Sequence, residues 1–376
     1  MIYFDNAATT KPSDAVIKAV ISGLEQFGNP SSLHRLGLEA EQQREQARKI
    51  IADALGALPE EIFFTSCATE SSNTAIFGAA ASVGKRKKKI VTTSVEHPSV
   101  AACCDKLEQE GFEIVRVQPR EDGKIYAEDI ISAADDNTCL VSCMLVNNET
   151  GSIIPVERAF AAIRKKHPQT LLHCDCVQGF LKLPIKTKKL GADIISLSAH
   201  KIHGPKGIGA VWIRKGVHIP SLLLGGGQER GFRSGTESVP LIMGFGAACG
   251  ELASTVGERF EKVSRLRDRL VRLCEQTEGI FVNIGSECSP YIVSLSVEGL
   301  KSEVLLHFLE QREIYVSSGS ACSKGKKSTV IKEFGVPDKL RDSVLRISFC
   351  AENTEAEIDE LMTALREAQS SLARIR

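Results

Sequence analysis

The stretch Ser198-Ala199-His200-Lys201-Ile202-His203-Gly204-Pro205-Lys206-Gly207 decides how the rest of the chain reads. It follows an apolar run from Ala192 to Leu197, which predicts a short buried strand. A strand that ends in small polar residues, a histidine and a lysine presents those side chains at a sheet edge. Open α/β sheets bind their ligands there. Desolvation at such an edge disfavours an ammonium, so a lysine can be held as a neutral amine able to condense with a carbonyl. Lys206 lies inside Gly-Pro-Lys-Gly, a turn in which a solvated lysine is the default. Lys201 directly follows the strand end and is the better candidate.

Two further segments extend this reading. His173-Cys174-Asp175-Cys176-Val177-Gln178 is another strand end, and its acid suits a pyridinium nitrogen. An Asp after a strand also serves as a helix N-cap, so both roles stay open. Ser317-Ser318-Gly319-Ser320-Ala321-Cys322-Ser323 places a cysteine among small residues. Lys324, Lys326 and Lys327 follow, and nearby positive charge lowers a thiol's pKa. The sequence thus predicts a loop able to move a thiolate, against the ordinary reading of a cysteine as a small inert core residue.

Around these segments strands and helices alternate from Pro59 onward. Strands are expected over 61–66, 89–94, 112–117, 138–146, 170–175, 192–198 and 208–214, with helices over 69–83, 98–110, 127–134 and 156–166. The alternation predicts an α/β fold with a large, mostly parallel, doubly wound sheet. Beyond about residue 250 the pattern changes. A long charged helix is expected over 251–278, then strands over 281–284, 291–297 and 344–349 and helices over 302–312 and 355–373. These read as a smaller α+β domain. The expected boundaries are 14–250 for the large domain, with 1–13 and 251–376 forming the small one.

Bulk properties narrow the function classes. Lys and Arg total 47 and Asp and Glu total 47, so no global field steers the protein toward nucleic acid or membrane. The basic run from Lys85 to Lys89 has no interleaved aromatics and reads as a solvated loop. No apolar run is long enough to span a bilayer, and Met1-Ile2-Tyr3-Phe4-Asp5 enters a fold-like segment without a signal peptide, so a cytoplasmic protein is expected. The twelve cysteines read as free thiols in such a setting. Cys174-x-Cys176 lacks zinc-knuckle spacing, and no metal is expected.

The three segments, in this order and spacing, resemble the cysteine desulfurases of the NifS/IscS type, in the aminotransferase class V superfamily of fold type I enzymes that use pyridoxal 5'-phosphate (PLP). The resemblance runs from Asp5-Asn6-Ala7-Ala8-Thr9-Thr10 to Arg346-Ile347-Ser348. It implies that Lys201 is the PLP lysine, that Asp175 pairs with the pyridine nitrogen, and that Gln178 and Asn148 bond the phenolic oxygen or the substrate. His97, in Glu96-His97-Pro98, would face the ring and move protons, where a bland reading makes it a loop residue. Ser66-Cys67-Ala68-Thr69-Glu70 would offer the N–H groups of Ala68 and Thr69 to the phosphate, with Ser198 and His200 as further donors; Thr69 could equally be a simple helix cap. Thr236, in Arg233-Ser234-Gly235-Thr236, would reach the phosphate from the other subunit of a homodimer. Arg346 would bind the substrate carboxylate, although a structural salt bridge would equally explain a mid-strand arginine.

Cys322 would then take sulfur from L-cysteine as a persulfide, leaving L-alanine, and pass it to an acceptor protein for iron–sulfur cluster, thio-cofactor or tRNA synthesis. The Ser-Ser-Gly-Ser-Ala-Cys wording matches the group I enzymes. A selenocysteine lyase or class V aminotransferase shares the fold, and a non-catalytic sulfur-acceptor platform is a third reading. The chain departs from the pattern at Cys176 and His203. It also ends at Arg376, whereas IscS-type relatives carry a longer tail that docks the scaffold.

Overall fold

The computed structural model describes residues 1–83, 87–284, 287–318 and 329–373. Seven strands form the large sheet, in the spatial order Ile62–Thr65, Gly209–Ile213, Ile194–Ser198, Leu171–Asp175, Thr138–Met144, Lys89–Thr93 and Glu113–Val117. Only Gly209–Ile213 opposes the others; it is antiparallel to both of its neighbours. The remaining pairings are parallel. The strands Thr138–Met144 and Ile194–Ser198 are buried at every position, as helices on both faces require.

Helices close both faces of this sheet. Ala68–Ser82 and Pro98–Gln109 share one core with strand residues Ile90, Cys139 and Leu140. The larger core gathers Ile51, Phe64, Val141, Phe160, Leu197, Trp212 and Phe245. Two N-terminal helices, Asp14–Glu25 and Arg35–Leu55, were not read from the sequence. Their signals are present: Ser13 Oγ accepts the Val16 N–H, and Gly56 ends the second helix in the left-handed region at φ 70°.

A second sheet runs Ser317–Ser318, Val344–Ser348, Ile292–Val297, Ile280–Val282, with every neighbouring pair antiparallel. Its core takes Ile2 and Phe4 together with Val263, Leu266, Leu295, Leu345 and Leu361. The N-terminal strand Ile2–Tyr3 lies parallel to Ile314–Tyr315, and Asp5 bridges to Ser348.

The long helix expected over 251–278 is shorter and starts later. The helices are Val239–Leu252 and Val256–Glu275, bent by 76°. Thr255 Oγ1 donates to the Leu252 carbonyl at 3.2 Å, closing the first helix where the charge pattern alone suggested continuation. No single helix among the described residues is long and apolar enough to cross a membrane. No disulfide joins the described cysteines.

Candidate active site

Five strands that run the same way end at one cavity of about 470 Å³. Ile194–Ser198 delivers Ser198, His200 and Lys201, and Leu171–Asp175 delivers Asp175 and Gln178. Lys89–Thr93 leads to His97, Thr138–Met144 to Asn148, and Ile62–Thr65 to Cys67, Ala68 and Thr69. The carboxyl ends of parallel strands are where such sheets hold ligands. From the second sheet, Arg346 and Ser317 complete the wall.

Lys201 is half-buried, and its Nζ donates to the carbonyls of Ala7 and Ala8, each at 2.6 Å. Its positive field reaches every neighbour. His97 is pushed down to about 4, first by burial and then by Lys201. His200 is likewise lowered to about 4 by burial and the same ammonium. Asp175 is raised to about 6 by burial, against the Val177 N–H and Lys201, which lower it. A cation placed at this carboxylate would pull it back toward the ionised form.

His97 both caps a helix and faces the cavity. Its Nδ1 accepts the Ser99 N–H at 3.1 Å and lies 2.8 Å from Ser99 Oγ. An accepting Nδ1 fixes the proton of the neutral ring on Nε2. Asp175 Oδ1 accepts the Val177 N–H at 2.9 Å and the acid lines the cavity; residues 177–182 form turns and not a helix, so the N-cap role left open by the sequence is not taken up. Thr69 lies in the first turn of Ala68–Ser82, whose cap Cys67 makes no side-chain cap bond, so the helix start is left to the cavity.

Asn148 is half-buried on the wall; the turn there is made by Asn147, whose Oδ1 accepts the Glu149 and Thr150 N–H groups. Arg346 is 6% exposed and already paired, with Nη2 2.8 Å from Asp5 Oδ1 and Nη1 donating to the Asn148 carbonyl at 3.0 Å. The salt-bridge reading of Arg346 is therefore present in the fold, at the cavity.

Three features show that the residues fit PLP. Ser198 Oγ is buried without a hydrogen-bond partner among the described residues. A Cβ at Gly209 would lie 2.8 Å from the Cys67 carbonyl carbon and 3.0 Å from the Ala68 nitrogen, so only glycine lets the helix start sit against this strand. Asp175 supplies a buried carboxylate for a cation.

Some expected residues lie elsewhere. Thr236 is exposed and does not line the cavity. Cys322 falls in 319–328, outside the described residues. Sequence reasoning missed Asp5, which belongs to a quoted motif but whose partner is 341 residues away. It also missed Lys182, a buried ammonium 2.8 Å from Gln178 Oε1 and lowered to about 7 by burial and then by Lys201. A lysine four residues past Gln178, amid apolar residues, is the signal that could have found it.

The comparisons with known proteins agree with this geometry. The aminotransferase class-V family model matches residues 2–361. The chain is 37% identical to a NifS/IcsS protein homolog of Lactobacillus delbrueckii subsp. bulgaricus, over 100% of this chain and 99% of that one. It is 38% identical to the cysteine desulfurase IscS of Methanosarcina thermophila, over 99% and 92% respectively. A solved NifS-like protein superposes with a TM-score of 0.93 at 39% identity, covering 99% of this chain and 100% of its own. A structure of SspA in complex with cysteine gives 0.83 at 32% identity, over 94% and 100%. With its fold, its lysine-bearing strand end and its full-length relatives in agreement, the chain belongs to the PLP-dependent aminotransferase class V family, among the NifS- and IscS-like cysteine desulfurases.

Proposed function

We propose that the protein takes sulfur from L-cysteine, releases L-alanine, and carries the sulfur as a persulfide on Cys322. The substrate's Cβ–Sγ bond breaks, an S–S bond to Cys322 forms, and the thiol proton goes to the alanine product. The observation that carries this reading is the meeting of Lys201, Asp175, His97 and Ser198 in one cavity.

Lys201 would attach PLP through its Nζ, Asp175 would pair with the pyridine nitrogen, and the start of Ala68–Ser82, Ser198 and His200 would hold the phosphate. Bound PLP supplies an electron sink for the charge left at the substrate's Cα. Lys201, freed as an amine when substrate binds, takes the Cα proton. Gln178, with its Nε2 already donating to the Ala7 carbonyl at 2.8 Å, is held at the cavity edge to bond the cofactor or substrate. Arg346 receives the substrate carboxylate, exchanging part of its hold on Asp5, and Asn148 lines the same end. His97, neutral with Nε2–H, exchanges a proton with the sulfur that leaves or the thiol that attacks.

The two cores are read as two domains, 14–250 and 1–13 with 251–376. The exposure of Thr236 supports a homodimer in which Thr236 of the partner subunit completes the phosphate site. We place the protein in the cytoplasm, serving a sulfur-acceptor protein. The test is mass spectrometry after exposure to L-cysteine, with the PLP absorbance recorded first. A yellow protein with 32 mass units added at Cys322, about one sulfur atom, is expected. A yellow protein that leaves cysteine intact would overturn the reading in favour of a transaminase or a selenium-specific lyase.

A further inference from the structure

A second cavity, of about 650 Å³, opens between the Lys11–Asp14 stretch, the helix Val256–Glu275 and the turn that follows Ser348. Three donor groups of different kinds meet on its wall. A His203 nitrogen, the Cys350 sulfur and a Glu352 carboxylate oxygen all lie within 4.8 Å of one another. His203 Nε2 is 3.7 Å from Glu352 Oε2. Tetrahedral zinc, with bonds of about 2.0–2.3 Å, spaces its ligand atoms about 3.3–3.8 Å apart. The His203–Glu352 pair is within about 0.4 Å of the spacing two nitrogen or oxygen ligands need, and the sulfur needs a shift of up to about 1.3 Å to reach its own spacing of about 3.5 Å.

The histidine is set up as a ligand. Its Nδ1 lies 2.9 Å from the Lys11 carbonyl oxygen. A carbonyl can only accept, so Nδ1 carries the proton and Nε2 keeps its lone pair. Zinc-binding imidazoles are commonly fixed by such a carbonyl on the far nitrogen. The place between the ligands is moreover a cation position already. Arg259 Nη2 donates to Glu352 Oε1 at 2.8 Å and approaches His203 Nε2 at 3.4 Å. The charged side chains around the cavity are Asp14, Glu251, Glu352 and Glu357 against Lys11 and Arg259, an excess of carboxylates that favours a second positive charge.

We propose that His203, Cys350 and Glu352 form a binding site for a thiophilic divalent cation of the zinc class, in competition with Arg259. The cavity gives Arg259 room to swing aside, and water takes the fourth position. On binding, a metal–sulfur bond replaces the Cys350 S–H bond, the proton passes to solvent, and nothing is oxidised or reduced. His203 follows Lys201 by two residues, and Cys350 and Glu352 follow the strand that carries Arg346. A bound ion therefore ties the lysine-bearing segment to the arginine-bearing strand. None of this depends on which reaction the neighbouring cavity performs.

The test uses holoenzyme carrying Cys322→Ser, so that the proposed sulfur-carrying thiol contributes no ligand. Zinc ion alone is the probe, in equilibrium dialysis followed by metal analysis. One zinc per chain is expected. Adding Cys350→Ser or His203→Gln should weaken retention at least tenfold, and adding Arg259→Gln should strengthen it by removing the competing cation. PLP absorbance and the unfolding transition establish that each variant is folded. Should Cys350→Ser misfold, His203→Gln and Arg259→Gln carry the test. No zinc retained by the Cys322→Ser protein would overturn the proposal. So would retention unchanged in His203→Gln and Arg259→Gln.

Discussion

The active-site cavity has two walls of opposite character. The wall from the large sheet holds groups that lack partners or are displaced from their ordinary protonation. Ser198 Oγ is buried without a partner among the described residues, the start of Ala68–Ser82 is uncapped by a side chain, and Asp175 is raised to about 6. The wall from the small sheet is largely paired, since both Arg346 Nη atoms are held, by Asp5 and the Asn148 carbonyl, and only its Nε lacks a partner among the described residues. In the proposed site, the first wall has its desolvation cost built into the fold and would gain partners when PLP binds. The second would have to exchange one partner for another, so substrate binding at the proposed Arg346 site would be a competition and stay reversible. A cofactor that remains and a substrate that turns over need this difference.

The sharpest way to break the comparison is Lys201→Ala. It removes the covalent attachment and the proposed base together, and activity should fall by on the order of 10⁴ or more. The absorbance of the lysine-bound cofactor should vanish with it; an unchanged spectrum would dismiss Lys201.

The large-sheet side of the site should also show itself in stability. Glu96, directly before His97, is fully buried and raised to about 8 by desolvation. Its Oε1 accepts from Thr93 Oγ1 at 2.6 Å and from the Met144 N–H at 2.9 Å. The folded state therefore keeps a proton that the unfolded state releases above its ordinary value of 4.5. Stability should fall as pH rises from about 4.5 to about 8 and level off beyond, by about 4–5 kcal/mol in all. Glu96→Gln, which mimics the protonated acid, should flatten that slope in denaturant unfolding. A slope equal to the wild type's would remove Glu96 from the account.

On the small-sheet wall, Arg346→Met should lower kcat/KM by roughly 10²–10³-fold, the worth of a charge-assisted pair. Asp5→Asn is the more telling variant. Freeing Arg346 from its competitor should lower KM several-fold while the protein loses stability, since a buried guanidinium is left less well compensated. A raised KM would mean that Asp5 positions Arg346 rather than competing for it. The smallest effect is expected from Lys182→Met, which keeps the packing but strips Gln178 Oε1 of its donor while Nε2 keeps the Ala7 carbonyl. A several-fold drop in kcat with a shifted pH profile of PLP absorbance is expected; a change in KM alone would count against positioning through Gln178.

Local signals made the first wall legible in the sequence. Strand ends followed by Lys201, Asp175 and His97 combine apolar runs with polar punctuation, and each falls where the fold needs it. The second wall was half legible. Arg346 stood out as a charge between Leu345 and Ile347, but nothing near it in sequence names Asp5 as its partner. Lys182 was missed for the same reason, because its meaning depends on burial. The helix break at Ala253–Thr255 was missed because the charge pattern runs through it; a hydroxyl bonding back to Leu252 is a short-range choice that periodicity does not record. The orientation of Gly209–Ile213 was likewise out of reach, since a strand reads the same in either direction.

The N-terminal segment has a consequence for how the molecule is made. Ala7 and Ala8 hold Lys201, Asp5 holds Arg346, and Asn6 Nδ2 donates to the Ser348 carbonyl across 342 residues of sequence. These residues leave the ribosome long before the strand that receives them exists. The large sheet can close while synthesis proceeds, and Ala7 and Ala8 can meet Lys201 then, but the segment cannot join the two walls until Val344–Ser348 has been made. Catalytic competence is therefore a late event in the life of the chain, and residues 5–8 complete their contacts only after residues made far later.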